Sequence, residues 1–168
     1  ELFMTNEEIG AGLPLFLPKG ALLRQILERY MNQVQSAEGY QYVYTPHIGK
    51  RDLFERSGHL DHYAENMYAP IDMVNLKGEG KVEGKADQFY LKPMNCPMHH
   101  HIYLNKPRSY RDLPYKIMEY GTVYRYEESG VLSGLIRVRG FTQNDAHVYC
   151  THAQIKEVVK ESLISYQR

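Results

Sequence analysis

The segment that most constrains the fold runs from Gly134 to Tyr149 and reads GLIRVRGFTQNDAHVY. Side chains alternate between the two faces of an extended strand, so an extended segment would present every second residue on one face. A strand with one face in water is the simplest interpretation, and a bulge at Gly140 would shift the register. The alternate positions nevertheless carry an ordered row of functional groups, namely Arg137, Arg139, Phe141, Gln143, Asp145 and His147.

A second polar run, residues 117–130, precedes this row. It places Arg125 and Glu127 two residues apart, and therefore on one face of a strand. Residues 128–134 contain two serines and two glycines, which predicts the loop of an antiparallel hairpin. Arg125 and Arg137 would then lie on neighbouring strands.

These side chains favour a nucleotide as the ligand. Two arginines without equal neutralising acids favour an anion between them, because guanidinium groups form bidentate hydrogen bonds with phosphate. Phe141 would stack on a planar ring, and Glu127 would accept a hydrogen bond from an exocyclic amine. The chain contains no glycine-rich phosphate loop of the Walker or dinucleotide type. We therefore expect the nucleotide to bind on a sheet.

The strings YRYEESG and GLIRVRGFTQNDAH, within residues 117–149, resemble motif 2 of the class II aminoacyl-tRNA synthetases, in the form found in threonyl-tRNA synthetases. Residues 10–46 resemble motif 1, and residues 57–101 resemble the threonyl-specific segments through SGHLDHYAENMY and YLKPMNCPMHH. The resemblance covers essentially residues 1–168. It implies one partial catalytic domain of the α+β class, with an antiparallel β-sheet flanked by helices and truncated before motif 3.

The resemblance implies an ATP site and a reaction. Arg125 would be the catalytic residue that stabilises the α-phosphate, because developing charge needs fixed positive donors. Glu127 would receive the adenine amine, Phe141 would stack on the base and Arg137 would reach the terminal phosphates. Mg²⁺ accompanies the triphosphate. The implied reaction activates threonine to threonyl-adenylate and transfers it to the 3′ end of threonine tRNA.

A zinc ion is also implied by the resemblance. Cys96 and His147 match two of the family's three zinc ligands, and the third would lie beyond residue 168. Without the resemblance, a lone cysteine in a proline-flanked turn is more typical of an inert buried thiol. The run His99–His101 does not predict a metal site, because consecutive helical residues point in three directions.

The same resemblance implies a threonine-binding set of Met94, Cys96, Arg125, Gln143 and Asp145. An open zinc position would accept the threonine hydroxyl, which valine lacks, and a site built around a polar group strongly rejects an analogue without it. Asp145 has an alternative role, in which it orients a neighbouring ligand instead of contacting threonine.

Helical periodicity predicts an amphipathic helix through residues 22–34 that ends at Gly39. Such a stripe ordinarily packs in a core, whereas the resemblance implies a homodimer through motif 1. The remaining patterns predict a strand over 40–45 stopped by Pro46, a short helix over 50–56, an exposed hairpin tip or insert without an assigned role over 77–85, and a second amphipathic helix over 153–166.

Composition restricts the function and location. The 20 basic and 20 acidic residues give a formal net charge of zero, which argues against a stand-alone nucleic-acid binder, so tRNA affinity is expected to depend on other parts. Two cysteines, Cys96 and Cys150, are too few for a disulfide framework. The absence of a long apolar run or signal-peptide pattern predicts a cytoplasmic protein without membrane contact.

Two alternative functions remain beside the ligase. One is a non-catalytic synthetase-like module that binds a nucleotide, an amino acid or a protein partner. The other is a zinc-stabilised structural or dimerisation domain. Metal removal would unfold the structural domain, but it would only alter ligand binding in the ligase.

Overall fold

The computed structural model describes residues 1–72 and 88–167, so the predicted insert at 77–85 lies outside the described residues. The helices are α1 (Pro18–Ala37), α2 (Arg51–Arg56), α3 (His59–His62), α4 (Cys96–Tyr103) and α5 (Ile155–Tyr166). The strands are β1 (Phe3–Met4), β2 (Leu15–Phe16), β3 (Gln41–Tyr42), β4 (Ile48–Lys50), β5 (Ile71–Asp72), β6 (Gln88–Leu91), β7 (Tyr115–Tyr124) and β8 (Gly140–Tyr149).

The central sheet has the strand order β3-β7-β8. Strands β7 and β8 form a ten-residue antiparallel ladder from the pair Tyr115 and Tyr149 to the pair Tyr124 and Gly140, and β3 joins β7 in parallel. A second sheet has the antiparallel order β4-β6-β5, and β1 pairs with β2. The expected α+β architecture, with antiparallel sheets and flanking helices, is confirmed.

Strand β7 is the buried centre of the fold. Ile117, Met118 and Val123 have at most 1% of their surface exposed, and Ile117 and Met118 occupy opposite faces, so elements cover both sides of the strand. A second apolar cluster connects α2, β6 and α4. It consists of Phe54, Met67, Tyr90 and Met98, with Leu53 and Leu60 packed against it.

Helix α1 confirms the predicted amphipathic helix, but its apolar stripe does not face a core. The helix begins at Pro18, which is favoured in a first turn, and its end is followed by Gly39 at φ 86°. Among its residues the structure buries Gly20 and Gln35. The apolar side chains of Leu22, Leu23, Ile26, Leu27 and Tyr30 remain about half exposed.

Three other predicted elements have the expected type. Helix α2 matches the prediction over 50–56, and it is followed by Gly58 in the left-handed region at φ 73°. Helix α5 matches the second amphipathic helix. Strand β3 is shorter than predicted, although the Val43 amide still donates to the Met118 carbonyl at 2.9 Å. None of the helices within the described ranges combines the length and apolarity needed to cross a bilayer.

The connection between β7 and β8 is longer than the predicted loop. The carbonyl of Gly12 accepts hydrogen bonds from the amides of Arg139, at 2.7 Å, and Gly140, at 3.2 Å, so it competes for the donors that would extend the hairpin. Arg137 instead pairs with Ser133 in a small bridge, whereas the Arg125 amide donates to Arg139. The prediction that Arg125 and Arg137 lie on neighbouring strands is therefore wrong.

Gly20 allows the N-terminal strand to approach α1. A methyl group at this position would overlap the backbone carbonyl oxygen of Leu2. We expect Gly20→Ala to lower the free energy of unfolding by about 1–3 kcal/mol, despite the better helix propensity of alanine. Urea denaturation measures this change. Gly130→Ala, where the added methyl meets open space, is the matched control, and an equal effect of both substitutions would contradict the assignment.

Candidate active site on the β7–β8 hairpin

Strand β8 has two chemically different faces. Asn144 exchanges two amide hydrogen bonds of 2.9 Å with Gln35 of α1, which identifies the even face. On the odd face, Asp145 and His147 contact residues at and near the start of α4, and the Arg125 guanidinium lies 5.2 Å from the centre of the Phe141 ring. The predicted row is thus found from residue 141 to residue 147, whereas Arg137 and Arg139 precede the strand.

The four residues predicted to bind ATP line one groove of about 1200 Å³ between the hairpin, α1 and the β1–β2 region. Arg125 donates from Nε to the Pro93 carbonyl at 3.2 Å. Glu127 accepts from Arg137 at 3.0 Å from Nε and at 2.9 Å from the terminal nitrogen. The expectation that these arginines lack neutralising acids is therefore wrong for Arg137, whose charge Glu127 balances.

The residues predicted to bind threonine converge at the start of α4. Asn95, fully buried, donates to the Asp145 carboxylate at 3.0 Å. Gly121 on β7 leaves the space that the Asn95 side chain occupies, since a methyl group there would overlap it. Met94 is half-buried beside Asn95, and Gln143 shares the odd face with Asp145 by alternation.

Cys96, the first residue of α4, is a half-buried thiol. Burial raises its pKa, and the negative charge of Asp145 acts in the same direction. Burial lowers the pKa of His147, which favours the neutral ring. A thiolate and a neutral imidazole are donors that zinc accepts. Across the two described ranges no three His, Cys, Asp or Glu side chains are grouped to hold a metal, so these two fit only part of a zinc site.

A buried polar cluster, formed by Thr45, Lys92, His99 and Glu119, adjoins these residues through the contact between His99 and His147. The Glu119 carboxylate accepts from the Thr45 amide at 3.0 Å and from its hydroxyl at 2.7 Å. Lys92 Nζ donates to the Thr45 hydroxyl at 2.6 Å and lies 3.7 Å from Glu119. His99 Nε2 lies 3.0 Å from the same carboxylate.

The cluster keeps Glu119 charged in the interior. Burial alone would raise the pKa of Glu119, but hydrogen bonds with His99 and Thr45 and the charge of Lys92 outweigh burial and lower it. Burial lowers the pKa of Lys92, an effect that the Glu119 charge opposes. Glu119 lies directly opposite Asp145 on β8, and like charges in such a pair repel. The Lys92 cation compensates this repulsion.

The sequence interpretation did not identify this cluster. Glu119 occurs in the run IMEYG, where a single carboxylate falls within an otherwise apolar stretch, and Lys92 directly precedes Pro93 in YLKPMN. A charge that cannot face water needs a buried partner, so this pattern was the available signal. Periodicity alone could not indicate which of the 20 basic residues supplies it.

The fold and the odd face together define a class. Residues 81–168 match the family described as the tRNA synthetase class II core domain (G, H, P, S and T). The chain therefore belongs to that family. A prolyl-tRNA synthetase from Cryptosporidium parvum, solved with halofuginone and AMPPNP, shares the fold at 19% identity, with a TM-score of 0.79 over 99% of this chain and 31% of that chain.

Within this class, the chain is similar to threonine–tRNA ligases. It is 53% identical over 159 residues to the ligase of Chlorobium phaeovibrioides, which covers 95% of this chain and 23% of that protein. A structure described as the RNA binding domain of threonyl-tRNA synthetase from Cryptosporidium parvum matches with a TM-score of 0.85 and 36% identity, over 96% of this chain and 38% of that chain. These findings confirm the resemblance stated from the motifs. The chain spans about a quarter of the length of the curated relatives it matches.

Breaking the buried ion pair tests its role. We expect Lys92→Met to lower the free energy of unfolding by about 3–5 kcal/mol at neutral pH, because it leaves the Glu119 carboxylate buried without its cation. Lys160→Met removes an exposed lysine that pairs with Glu157 at 3.5 Å, and we expect a change within about 1 kcal/mol. Urea denaturation compares them, and similar losses would refute a special role for Lys92.

Proposed function

We propose that this chain forms the ATP- and threonine-binding part of the catalytic core of a threonine–tRNA ligase, acting in the cytoplasm. The observation that carries the proposal is the odd face of β8, where Phe141, Gln143, Asp145 and His147 follow in a row between Arg125 and the start of α4. The similarity to threonine–tRNA ligases supports the choice of amino acid.

Arg125 is the catalytic residue of this proposal. A carboxylate oxygen of threonine attacks the α-phosphorus of ATP, the bond to the bridging oxygen breaks, and pyrophosphate leaves with that electron pair. Arg125 stabilises the negative charge on the phosphate oxygens, because its position is already fixed by the Pro93 carbonyl. The threonyl group then passes to the 3′ end of threonine tRNA. Mg²⁺ bound to the triphosphate neutralises part of its charge.

The other nucleotide contacts follow from the groove. Phe141 stacks on the adenine, and the Arg125 guanidinium over the Phe141 ring holds the two side chains together. Glu127 accepts from the adenine amine. Arg137 is about half exposed and pairs only with Glu127 among the described residues, so it exchanges this partner for the terminal phosphates when ATP binds.

The amino acid binds beside the start of α4. Asp145 and Gln143 bind or orient the threonine ammonium, and Met94 borders the same pocket. Cys96 and His147 would supply two of the donors for a zinc ion. Zinc would supply the Lewis acidity that binds the threonine hydroxyl and amine and thus discriminates against valine.

A second candidate is the non-catalytic synthetase-like module, because the groove contacts described above concern the binding of ATP and such a module would make the same contacts. Binding and turnover therefore have to be measured separately.

The exposed apolar stripe of α1 supports a homodimer through motif 1. Leu22, Ile26 and Leu27 each have more than half of their surface exposed, although apolar side chains at this spacing ordinarily pack against another surface. A second copy of the same helix region is the partner we propose.

ATP binding and activation are tested with one pair of variants. We expect Arg125→Ala to weaken ATP binding by about 10- to 100-fold, because a charge-assisted contact with phosphate is lost. Arg111→Ala, in the turn Tyr110–Asp112, is the matched control. Calorimetry measures binding, and exchange of labelled pyrophosphate into ATP measures activation.

Exchange that requires threonine and fails with valine would support the ligase, whereas ATP binding without exchange would support the non-catalytic module. Equal ATP binding by both arginine variants would refute the proposed groove.

Zinc binding is tested without reference to activity. We expect Cys96→Ser and His147→Gln to lower the zinc retained per chain after dialysis, whereas Cys150→Ser and His152→Gln retain the unaltered chain's amount. Zinc requires a thiolate, and burial raises the pKa of Cys96, so affinity should increase as the pH is raised. If the unaltered chain retains zinc, equal retention by Cys96→Ser and Cys150→Ser, measured by atomic absorption, would rule out Cys96 as a ligand.

The dimer is tested by placing a charge on the stripe. We expect Ile26→Glu to raise the dissociation constant of the dimer at least tenfold, since a carboxylate would be buried in the interface. Val159→Glu on α5 is the matched control, because both side chains are about half exposed on helices. Sedimentation velocity measures the oligomeric state of both variants. If only Val159→Glu dissociates the dimer, the interface lies on α5.

A further inference from the structure

Glu119, His99 and His147 form a continuous hydrogen-bonded row from the centre of β7 to the odd face of β8. Glu119 Oε1 lies 3.0 Å from His99 Nε2, and His99 Nδ1 lies 2.7 Å from His147 Nδ1. The two rings are nearly perpendicular, at 86°. Each contact holds one proton, so one partner donates and the other accepts. The nitrogen that carries the proton on one ring therefore determines which nitrogen carries it on the next ring.

The acceptor end of this row is fixed by the buried polar cluster. Glu119 accepts from the amide and the hydroxyl of Thr45 and lies beside the Lys92 ammonium, which are contacts of an ionised carboxylate. A carboxylate can only accept. His99 Nε2 must therefore carry the proton that this contact requires.

The charges around His99 determine which ring supplies the proton between the two Nδ1 atoms. The ring is fully buried, and Lys92 already supplies a cation next to the same carboxylate, so a second buried cation would add a desolvation cost. Asp145, the other carboxylate on this face, is half-buried and bonded to Asn95. A neutral ring with its proton on Nε2 has a bare Nδ1, which accepts from His147.

We propose that Glu119, acting through His99, holds His147 as the tautomer with its proton on Nδ1, so that the Nε2 lone pair points to the candidate site. Among the described residues the His147 ring hydrogen-bonds to His99 through Nδ1, which leaves Nε2 for another partner. Glu119 and His99 are thus positioning residues. The use of this lone pair, to bind a zinc ion or to accept a proton donor of the substrate, rests on the proposed function.

The tautomer is read directly by two-dimensional nitrogen–proton NMR of the histidine rings in the metal-free 168-residue chain at pH 7.5. We expect His147 to be protonated on Nδ1 and His99 on Nε2, with each signal assigned by its loss in His147→Gln or His99→Gln. A doubly protonated His99, or a proton on Nε2 of His147, would overturn the proposal. This result needs no variant of Glu119, so it does not depend on such a variant folding.

A substitution then tests whether Glu119 is the cause. The amide of Glu119→Gln can donate as well as accept, so we expect His147 to lose its single tautomer and to show a population protonated on Nε2. Glu157→Gln, in the exposed pair with Lys160, should leave the His147 signals unchanged. An unchanged His147 tautomer in folded Glu119→Gln would refute the role of Glu119.

Titration with Zn²⁺ alone separates this inference from the proposed function. We expect Glu119→Gln to weaken zinc binding by about 10- to 100-fold, as is usual when the partner of a histidine ligand is removed. If the unaltered chain binds no zinc but shows the expected tautomer, these residues do not suffice as a zinc site and the hydrogen-bonded row stands. If zinc binds tightly to both chains, the positioning role fails while the metal assignment stands.

Discussion

The ion pair between Lys92 and Glu119 is the interaction on which the remaining site depends. It joins β7 to the segment after β6, and Thr45 ties the chain after β3 to the same carboxylate. His99 brings α4 into contact with this group. A buried pair of this kind contributes little net stability compared with apolar packing, but it tolerates very few arrangements. Its main effect is to fix how four parts of the chain meet.

In this arrangement, the residues that hold the elements together differ from the residues proposed to bind ligands. The charged groups that hold the elements together, Lys92 and Glu119, are buried, whereas the groups proposed to meet ligands, such as Arg125 and Arg137, remain partly accessible. Asn95 connects the two sets, because it is fully buried itself and orients Asp145 at the surface of the site. Binding is preorganised when the side chains that contact the ligand are already held in one geometry. Contacts with buried neighbours provide that support here.

The sequence predicted those features that local periodicity encodes. The alternation of β8 identified the face from Phe141 to His147, and the stripe of α1 identified a helix. The hairpin connection was mispredicted because its geometry depends on Gly12, more than a hundred residues away, whose carbonyl competes for strand donors. Likewise, the pairing of Lys92 with Glu119 is a long-range contact, and the apolar stripe alone could not reveal that α1 leaves it exposed.

Strand β8 carries two sets of contacts on one backbone. On its odd face Asp145 and His147 contact Asn95 and His99 at α4, while Asn144 on its even face is matched to Gln35 of α1 and lines the groove together with Thr142. Because side chains alternate, a single-residue insertion or deletion within the strand would exchange both sets at once. The exposed tip of the connection before it, residues 128–131, has no such two-sided constraint and holds none of the residues proposed to bind ATP. Length variation during evolution should therefore accumulate in that tip, whereas the strand should diverge only by substitution.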